Sequence, residues 1–239
     1  MSPVRQVERR ATDRTETPRQ LWYAAYGSNV HPERLRAYLA GGRPRGADRW
    51  YPGCRDRTMP AESVPVELPG VLYFATTSPV WGGGRAFYDP DAEGRTLAVA
   101  HLVTAGQFSD IAAQEMYREP GTDLELSPVL ARGRHRIGAG RYETLVYAGE
   151  LAGRPVLTCT APWRVEEVPH LPPAAAYLRF LATGLLAAGS GAGAGAGAGS
   201  GAGSGAGSGW SAAAVAEYLA GAPGAEREWS AADVLRLME

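Results

Sequence analysis

Two short segments have the residue types and spacing that acyl-transfer chemistry needs. In the first, LWYAAYGSNVHPERL, an apolar run ends at Tyr26, a turn follows at Gly27, Ser28 and Asn29, and Pro32 suits the first position of a helix. Glycine permits close approach by a ligand, and backbone N–H groups with the two polar side chains offer hydrogen-bond donors. The turn is a candidate site for a carboxylate or a developing oxyanion, although an ordinary strand-to-helix connection has the same pattern.

The second segment is a predicted helix at 105–117 with a carboxylate on its apolar face. Phe108, Ile111 and Glu115 follow the i, i+3, i+7 spacing of one helix face. A carboxyl group on a buried face either pairs with an arginine or has a raised pKa, which suits a general acid or base near neutral pH. The pattern leaves a structural ion pair and a catalytic role both open. Asp110 on the same helix is expected at the surface.

Strands and helices that would position these segments are predicted from the hydrophobic pattern. The strand segments are 21–26, 71–77, 84–89, 96–103, 142–149 and 155–161, and the helical segments are 32–40, 105–117, 173–187 and two more opened by Ser211 and Ser230. Thr104 and Gln107 have capping-box spacing. Because strands outnumber helices and do not alternate regularly with them, we predict an α+β fold, a small mixed β-barrel flanked by helices.

Composition along the chain predicts four stretches within one folded unit. Residues 1–19 are polar without a period and are predicted to form a disordered tail. Residues 20–188 are predicted to form the main domain. Residues 189–209, GSGAGAGAGAGSGAGSGAGSG, have no side chain larger than serine and are predicted to be a flexible, low-complexity insertion. The helices in 210–239 are expected to pack on the same domain.

The overall composition excludes several functions. All 24 basic residues are arginines, so a Schiff-base lysine, a pyridoxal phosphate linkage and a Walker-type loop are excluded. Four scattered histidines and two cysteines, Cys54 and Cys159, do not suggest a metal site, and the cysteines are expected in the core. A net charge of -1 argues against nucleic-acid binding. The sequence shows neither a signal peptide nor a membrane span, so a cytoplasmic protein without membrane contact is expected.

Five segments together resemble the γ-glutamylcyclotransferase family. They are the YGSN loop with PERL after it, YPGCR at 51–55, WGGGRA at 81–86, QEMY at 114–117 and the segment 172–184, which begins PPAAAYL. In order and spacing they match the family's entry loop, its Pro-Gly-Tyr-Arg segment, a glycine-rich strand start, its catalytic glutamate and a late helix. The chain departs from the family pattern at Val30, Ala112 and Met116.

The resemblance implies an enzyme that cyclises a small-molecule γ-glutamyl amide to 5-oxoproline and releases an amine, without cofactor or metal. Glu115 would be the general acid and base. The substrate-binding residues would be Tyr26, Gly27, Ser28, Asn29, Trp81, Gly82, Gly83 and Tyr177. Two alternatives stay open: an amide hydrolase that uses the same pocket, and a non-catalytic small-molecule-binding module. Neither monomer nor homodimer is favoured.

Overall fold

The chain is described by a computed structural model at residues 4–7, 16–44, 49–189 and 209–239. The strands are β1 (Arg5–Gln6), β2 (Gln20–Ala25), β3 (Ser63–Pro69), β4 (Val71–Thr77), β5 (Gly84–Asp89), β6 (Arg95–Thr104), β7 (Arg134–Arg136), β8 (Thr144–Leu151) and β9 (Arg154–Thr160). The α-helices are α1 (Pro32–Ala40), α2 (Ala105–Glu115), α3 (Ser127–Arg132), α4 (Ala175–Gly189), α5 (Ala212–Ala220) and α6 (Ala231–Met238). Short 3-10 helices occupy Ser28–Val30 and Val165–Glu167.

Seven strands form one mixed sheet in the order β1-β3-β6-β2-β9-β8-β7. The site-bearing strand β2 lies at its centre, antiparallel to β6 and parallel to β9. Strands β4 and β5 form a separate antiparallel hairpin with a bulge between Ala75 and Thr77. The predicted α+β class is confirmed. The seven-stranded ladder keeps β1 and β7 as edges within the described residues, so the strands do not close into one continuous barrel.

The β4–β5 hairpin is joined to the main sheet by side-chain contacts instead of a strand ladder. The Tyr88 N–H on β5 donates to the Thr160 hydroxyl at 3.1 Å, and the same hydroxyl donates to the Tyr88 carbonyl at 2.7 Å. Tyr26 packs on Tyr88 with their rings 5.6 Å apart. These contacts hold β5 over the end of β2, where the candidate turn begins.

Strand β3 was not predicted because two prolines interrupt its apolar pattern. Proline lacks the N–H that a central strand must donate, so it is tolerated where one side of a strand is largely unpaired. Apart from its ladder with β6, β3 pairs within the described residues only with the two residues of β1, at Val66 and Glu67. Pro65 and Pro69 therefore lie in a strand that is close to an edge strand.

The helix ends follow the predicted capping residues. Thr104 and Gln107 form a reciprocal capping box at the start of α2, and Ser230 forms another with Asp233 at the start of α6. The Ser211 side chain accepts from the N–H of Ala214 at the start of α5. Each cap satisfies backbone N–H groups that have no partner within the helix.

The stretches predicted from composition near the two ends of the chain are only partly covered by the described residues. Within the stretch predicted as a disordered tail, Arg5 and Gln6 pair with β3, and Val7 is buried. The prediction fails at these residues because a two-residue strand leaves no periodic signal. Residues 1–3 and 8–15, and 190–208 of the predicted insertion, lie outside the described residues.

After the predicted insertion, α5 and α6 contact α4 and each other. Val215, Leu219 and Val234 are buried in the same apolar cluster as the strands of the main sheet. Within the described parts of the chain, no helix is long and apolar enough to cross a membrane.

Candidate functional site

The turn after β2 places one polar side chain inside the protein. After Ala25 the chain runs through a 3-10 turn at Ser28–Val30, and α1 then begins at Pro32, with His31 as its N-cap. Asn29 points inward and is only 1% exposed. Since the cap of α1 is His31, neither Ser28 nor Asn29 serves as a mere helix cap. Within the described residues, the N–H groups of Gly27 and Ser28 make no backbone hydrogen bond.

Glu115 is the last residue of α2 and meets this turn. Phe108 and Ile111 on the same helix face are fully buried, as the periodicity predicts, and Glu115 is partly buried beyond them. Its Oε1 accepts a hydrogen bond from Asn29 Nδ2 at 2.9 Å. The same Nδ2 lies 3.2 Å from the Tyr23 hydroxyl.

Burial raises the pKa of the Glu115 carboxyl above its ordinary value. The positive charges of Arg34 and Arg49 and the side chains of Tyr38 and Asn29 oppose the effect of burial but do not cancel it. A raised pKa brings the carboxyl group closer to neutral pH, where it exchanges protons most efficiently.

Three adjoining cavities meet at Glu115 and Tyr142, which line all of them. The turn cavity, of about 40 Å³, is lined by Tyr23, Tyr26, Gly27, Ser28, Asn29, Ala86, Glu115, Tyr142, Thr158, Cys159 and Tyr177. The arginine cavity, also about 40 Å³, is lined by Ser28, Arg34, Tyr38, Arg49, Ser78, Val80, Trp81, Arg85, Glu115, Tyr117, Tyr142 and Tyr177. A third cavity of about 310 Å³ extends past Tyr117 towards Gly140 and Trp163.

Tyrosines held by backbone groups form the walls of the turn cavity. The Tyr26 hydroxyl donates to the Cys159 carbonyl at 2.7 Å, and the Tyr142 hydroxyl donates to the Ala86 carbonyl at 2.9 Å. Tyr177 stacks on Trp81 with the ring centres 5.4 Å apart. These contacts fix the rings and so fix the shape of the cavity around the carboxylate.

Seven of the nine residues predicted for the site line the cavities that Glu115 joins. The two exceptions are Gly82 and Gly83, which line none of the three. Both have positive φ, 68° and 59°, and form the turn before β5. A Cβ on Gly83 would lie 2.6 Å from the Pro172 carbonyl oxygen, so the glycine permits a close approach between two chain segments.

Sequence reasoning missed several residues of the site, chiefly Tyr23, Tyr38, Arg34, Arg85 and Tyr142. Two of them had a usable signal: Arg34 and Tyr38 are four residues apart on α1 and therefore share one helix face. The others lie on or beside strands in which residues facing both ways are buried, so alternation gives no indication of direction.

Asp110, expected at the surface, is fully buried. Its carboxylate accepts from the Arg55 N–H at 2.8 Å, from Arg55 Nε at 3.0 and 3.1 Å, and from the Gly121 N–H at 3.1 Å. The prediction was wrong because a short periodic pattern does not reveal that a distant loop supplies an arginine. This network fixes α2 against the loop that carries Arg55.

Both cysteines lie in the core, as predicted, and His101 on β6 is buried as well. Cys54 and Cys159 are both buried, and burial raises the pKa of the Cys54 thiol to about 12. His101 Nδ1 lies 2.8 Å from the Ser63 hydroxyl, and burial lowers the pKa of its imidazole to about 4. Within the described ranges, no three His, Cys, Asp or Glu side chains are grouped as a metal site.

The site therefore combines a partly buried carboxyl group of raised pKa, two backbone N–H donors and a tyrosine-walled cavity. Such an arrangement suits acyl transfer on a small molecule: the carboxyl group can exchange protons with the attacking and leaving groups, and the N–H donors can stabilise negative charge on the carbonyl oxygen. Both the donors and the carboxylate are held by the central strand and the helix that follows β6, which are among the most buried elements of the fold.

Comparisons with known proteins give the following similarities. No family model matches. The chain is 30% identical over 190 residues to histone deacetylase 5 of Arabidopsis thaliana; the match covers 71% of this chain but 28% of that protein's length. Among solved structures it is similar to a γ-glutamyl cyclotransferase, with 15% identity, a TM-score of 0.41 and coverage of 71% of this chain and 80% of the other. A second similar structure is an uncharacterized protein from Homo sapiens, with 16% identity, a TM-score of 0.43 and coverage of 72% and 82%.

Proposed function

We propose that this protein cyclises a γ-glutamyl amide, releasing 5-oxoproline and a free amine, with Glu115 as the general acid and base. The observation that carries the proposal is the position of the Glu115 carboxylate, held by Asn29 at 2.9 Å where the cavities meet. Cyclisation needs no activated side chain, because the nucleophile is the substrate's own α-amine. One proton-exchanging group and a shaped pocket are therefore sufficient.

The proposed role of Glu115 follows from the protons that must move. The substrate's α-ammonium loses a proton to the carboxylate and becomes a nucleophilic amine. This amine attacks the γ-carbonyl carbon, forming the ring C–N bond and an oxyanion. The Glu115 carboxyl gives the first proton to the leaving nitrogen, and the old C–N bond breaks as the oxyanion re-forms the carbonyl. The regenerated carboxylate then takes the second proton from the ring nitrogen and passes it to the released amine, which leaves as an ammonium. A single carboxyl group of raised pKa suits each transfer.

In this proposal the turn after β2 binds the γ-glutamyl part. The N–H groups of Gly27 and Ser28, which have no backbone acceptor within the described residues, would stabilise the oxyanion or the substrate carboxylate. The rings of Tyr26, Tyr142 and Tyr177 would hold the substrate in a bent conformation. Bringing the amine close to the carbonyl supplies much of the rate enhancement in an intramolecular reaction.

Product analysis tests this function. Purified protein is incubated with γ-glutamyl amino acids, γ-glutamyl amines and glutathione, and 5-oxoproline, glutamate and the released amine are quantified by mass spectrometry. The proposal expects 5-oxoproline and amine in equal amounts. Glutamate in place of 5-oxoproline would show that water is the acyl acceptor and would contradict cyclisation. Binding of a γ-glutamyl compound without any product would favour the binding-module alternative.

A further inference from the structure

We propose that Arg34 is a positioning residue whose guanidinium, enclosed by aromatic rings, acts as a fixed counter-charge for Glu115 across the arginine cavity. Both residues line this cavity. The proposal gives Arg34 a role in keeping the base ionised and none in contacting the substrate. Its consequence for catalysis rests on the proposed function, whereas its effect on Glu115 is measurable without any substrate.

Three aromatic rings enclose the Arg34 guanidinium and form a cage around it. The guanidinium carbon lies 4.6 Å from the ring centre of Tyr51, 5.6 Å from that of Tyr38 and 5.8 Å from that of Trp81. Arg34 is only 4% exposed, and among the described residues its Nε and Nη1 have no hydrogen-bond acceptor. Because the faces of aromatic rings attract a cation, the cage lowers the cost of burying this charge.

Two rings of the cage are held by contacts of their own. Tyr38 lies four residues after Arg34 on α1, so the two side chains share one face of the helix. Tyr51 stacks on Tyr38 with the ring centres 4.6 Å apart. The backbone of Tyr51 exchanges two hydrogen bonds with Gly42, at 2.8 and 2.9 Å. The cage therefore fixes the guanidinium at the wall of the cavity.

The cage stabilises the charge of Arg34 without neutralising it. Aromatic rings carry no net charge, and no described acidic side chain forms an ion pair with Arg34 at 4.0 Å or less. An ion pair would cancel most of the field of the cation, whereas a cage of neutral rings leaves that field to act on Glu115. Opposite charges that share a small, poorly hydrated space favour the ionised form of the acid.

Titratable and charged groups face Glu115 from every element around it. Burial raises the pKa of several of them, which are therefore neutral near neutral pH: Tyr23, Tyr38, Tyr51, Tyr142, Cys159 and Tyr177. The other such groups that line the same cavities are Arg49, Arg85, Tyr117, Arg141 and Glu143. Arg34 opposes the effect of burial on the pKa of Glu115 more strongly than Arg49 does. It is thus the cation on which the charge of the base depends most.

Titration of the Glu115 carboxyl in the protein without substrate tests the counter-charge. The carboxyl carbon is followed by NMR in protein that carries isotope-labelled glutamate, and Glu115→Gln identifies its signal. Arg34→Met removes the charge but keeps an apolar chain for the rings to pack on, and should raise the midpoint by about 1 pH unit. Arg34→Lys keeps the charge and should move the midpoint by about half as much or less. Arg36→Gln, on the exposed face of α1, should leave it unmoved.

An unmoved midpoint in folded Arg34→Met protein would overturn the proposal. Circular dichroism shows whether this variant is folded. If it is not, Trp81→Leu provides the test, because it opens the cage at its most distant ring and lets water screen the guanidinium. This variant should raise the midpoint by a smaller amount than loss of the charge, and an unmoved midpoint would again overturn the proposal.

The pH profile of kcat/KM distinguishes a counter-charge from a residue that contacts the substrate. At pH values below the pKa of Glu115, Arg34→Met should form 5-oxoproline about tenfold more slowly than the unmodified protein. At pH values above the pKa in both proteins the difference should disappear, because Glu115 is then ionised without help from Arg34. An equal loss at every pH would show that Arg34 contacts the substrate and would overturn the proposal.

The two measurements also separate this inference from the proposed function. A raised midpoint in Arg34→Met, without turnover of any γ-glutamyl compound by the unmodified protein, would support the counter-charge and refute the proposed function. Release of 5-oxoproline by the unmodified protein, with an unmoved midpoint in Arg34→Met, would refute the counter-charge and support the function.

Discussion

Replacing Asn29 with alanine removes the hydrogen bond that holds the Glu115 carboxylate. The bond is 2.9 Å long, its acceptor is a carboxylate, and the donor is only 1% exposed. A hydrogen bond to a charged group contributes about 1.5–3 kcal/mol, which corresponds to a decrease of about 10- to 150-fold in kcat/KM when the bond positions the base. Because Asn29 favours the ionised carboxylate, its loss also raises the pKa of Glu115 further.

The assay is the pH dependence of kcat/KM for 5-oxoproline formation. The base must be ionised to accept the ammonium proton, so the rate falls as pH falls through the pKa of Glu115, and in Asn29→Ala this acid limb should move to higher pH. Tyr23→Phe is the comparison, since it removes the 3.2 Å contact with Asn29 but leaves the bond to Glu115; its effect should be under about tenfold. An unmoved acid limb in a folded Asn29→Ala protein would refute the role given to this bond.

Three further predictions concern stability. Asp110→Asn should lower the free energy of unfolding by about 2 kcal/mol in urea, because it removes the charge from a buried carboxylate that accepts hydrogen bonds from Arg55 and from the Gly121 N–H. A change below about 1 kcal/mol would contradict the importance of these bonds. Gly82→Ala should destabilise the protein by about 1 kcal/mol through its positive φ alone, because the space around the added Cβ is open. Gly83→Ala should destabilise it by at least about twice as much, since its Cβ would also meet a backbone carbonyl oxygen. Equal decreases in the melting temperature would argue against that close approach. Burial lowers the pKa of His101 to about 4, so the unfolded chain binds more protons than the folded protein between pH 6.5 and 4, and stability falls as pH falls through this window. In thermal unfolding measured across this pH range, His101→Gln should make that fall in stability less steep. An unchanged slope would show that another group is responsible.

Local sequence signals predicted the elements that carry the site. The strand predicted at 21–26 is found at Gln20–Ala25, and the helix start at Pro32 and the capping box at Thr104 occur where the pattern indicated. These signals are local because caps and apolar runs act over only a few residues. The α+β class followed from the irregular order of strands and helices.

Such local signals could not predict which side chains contact the charged residues in and near the site. Asp110 is buried because Arg55 approaches it from a loop 55 residues away in the chain, and Arg34 meets the rings of Tyr51 and Trp81 only after folding. Contacts of this kind depend on tertiary packing, which periodicity within one element does not encode. Strand β3 was not predicted for a different reason: its prolines argue against a strand unless one edge of that strand is almost unpaired.

The most direct test of the central claim compares 5-oxoproline formation by the unmodified protein and by Glu115→Gln. The substitution keeps the shape of the side chain and a hydrogen-bonding group near Asn29 but removes proton exchange. General acid–base catalysis contributes about 10²- to 10⁴-fold, so kcat should fall by that factor while the variant stays folded. Glu119→Gln, an exposed change four residues further along, should match the unmodified protein. If Glu115→Gln forms 5-oxoproline at the unmodified rate, Glu115 is not the acid and base and the proposed mechanism is wrong.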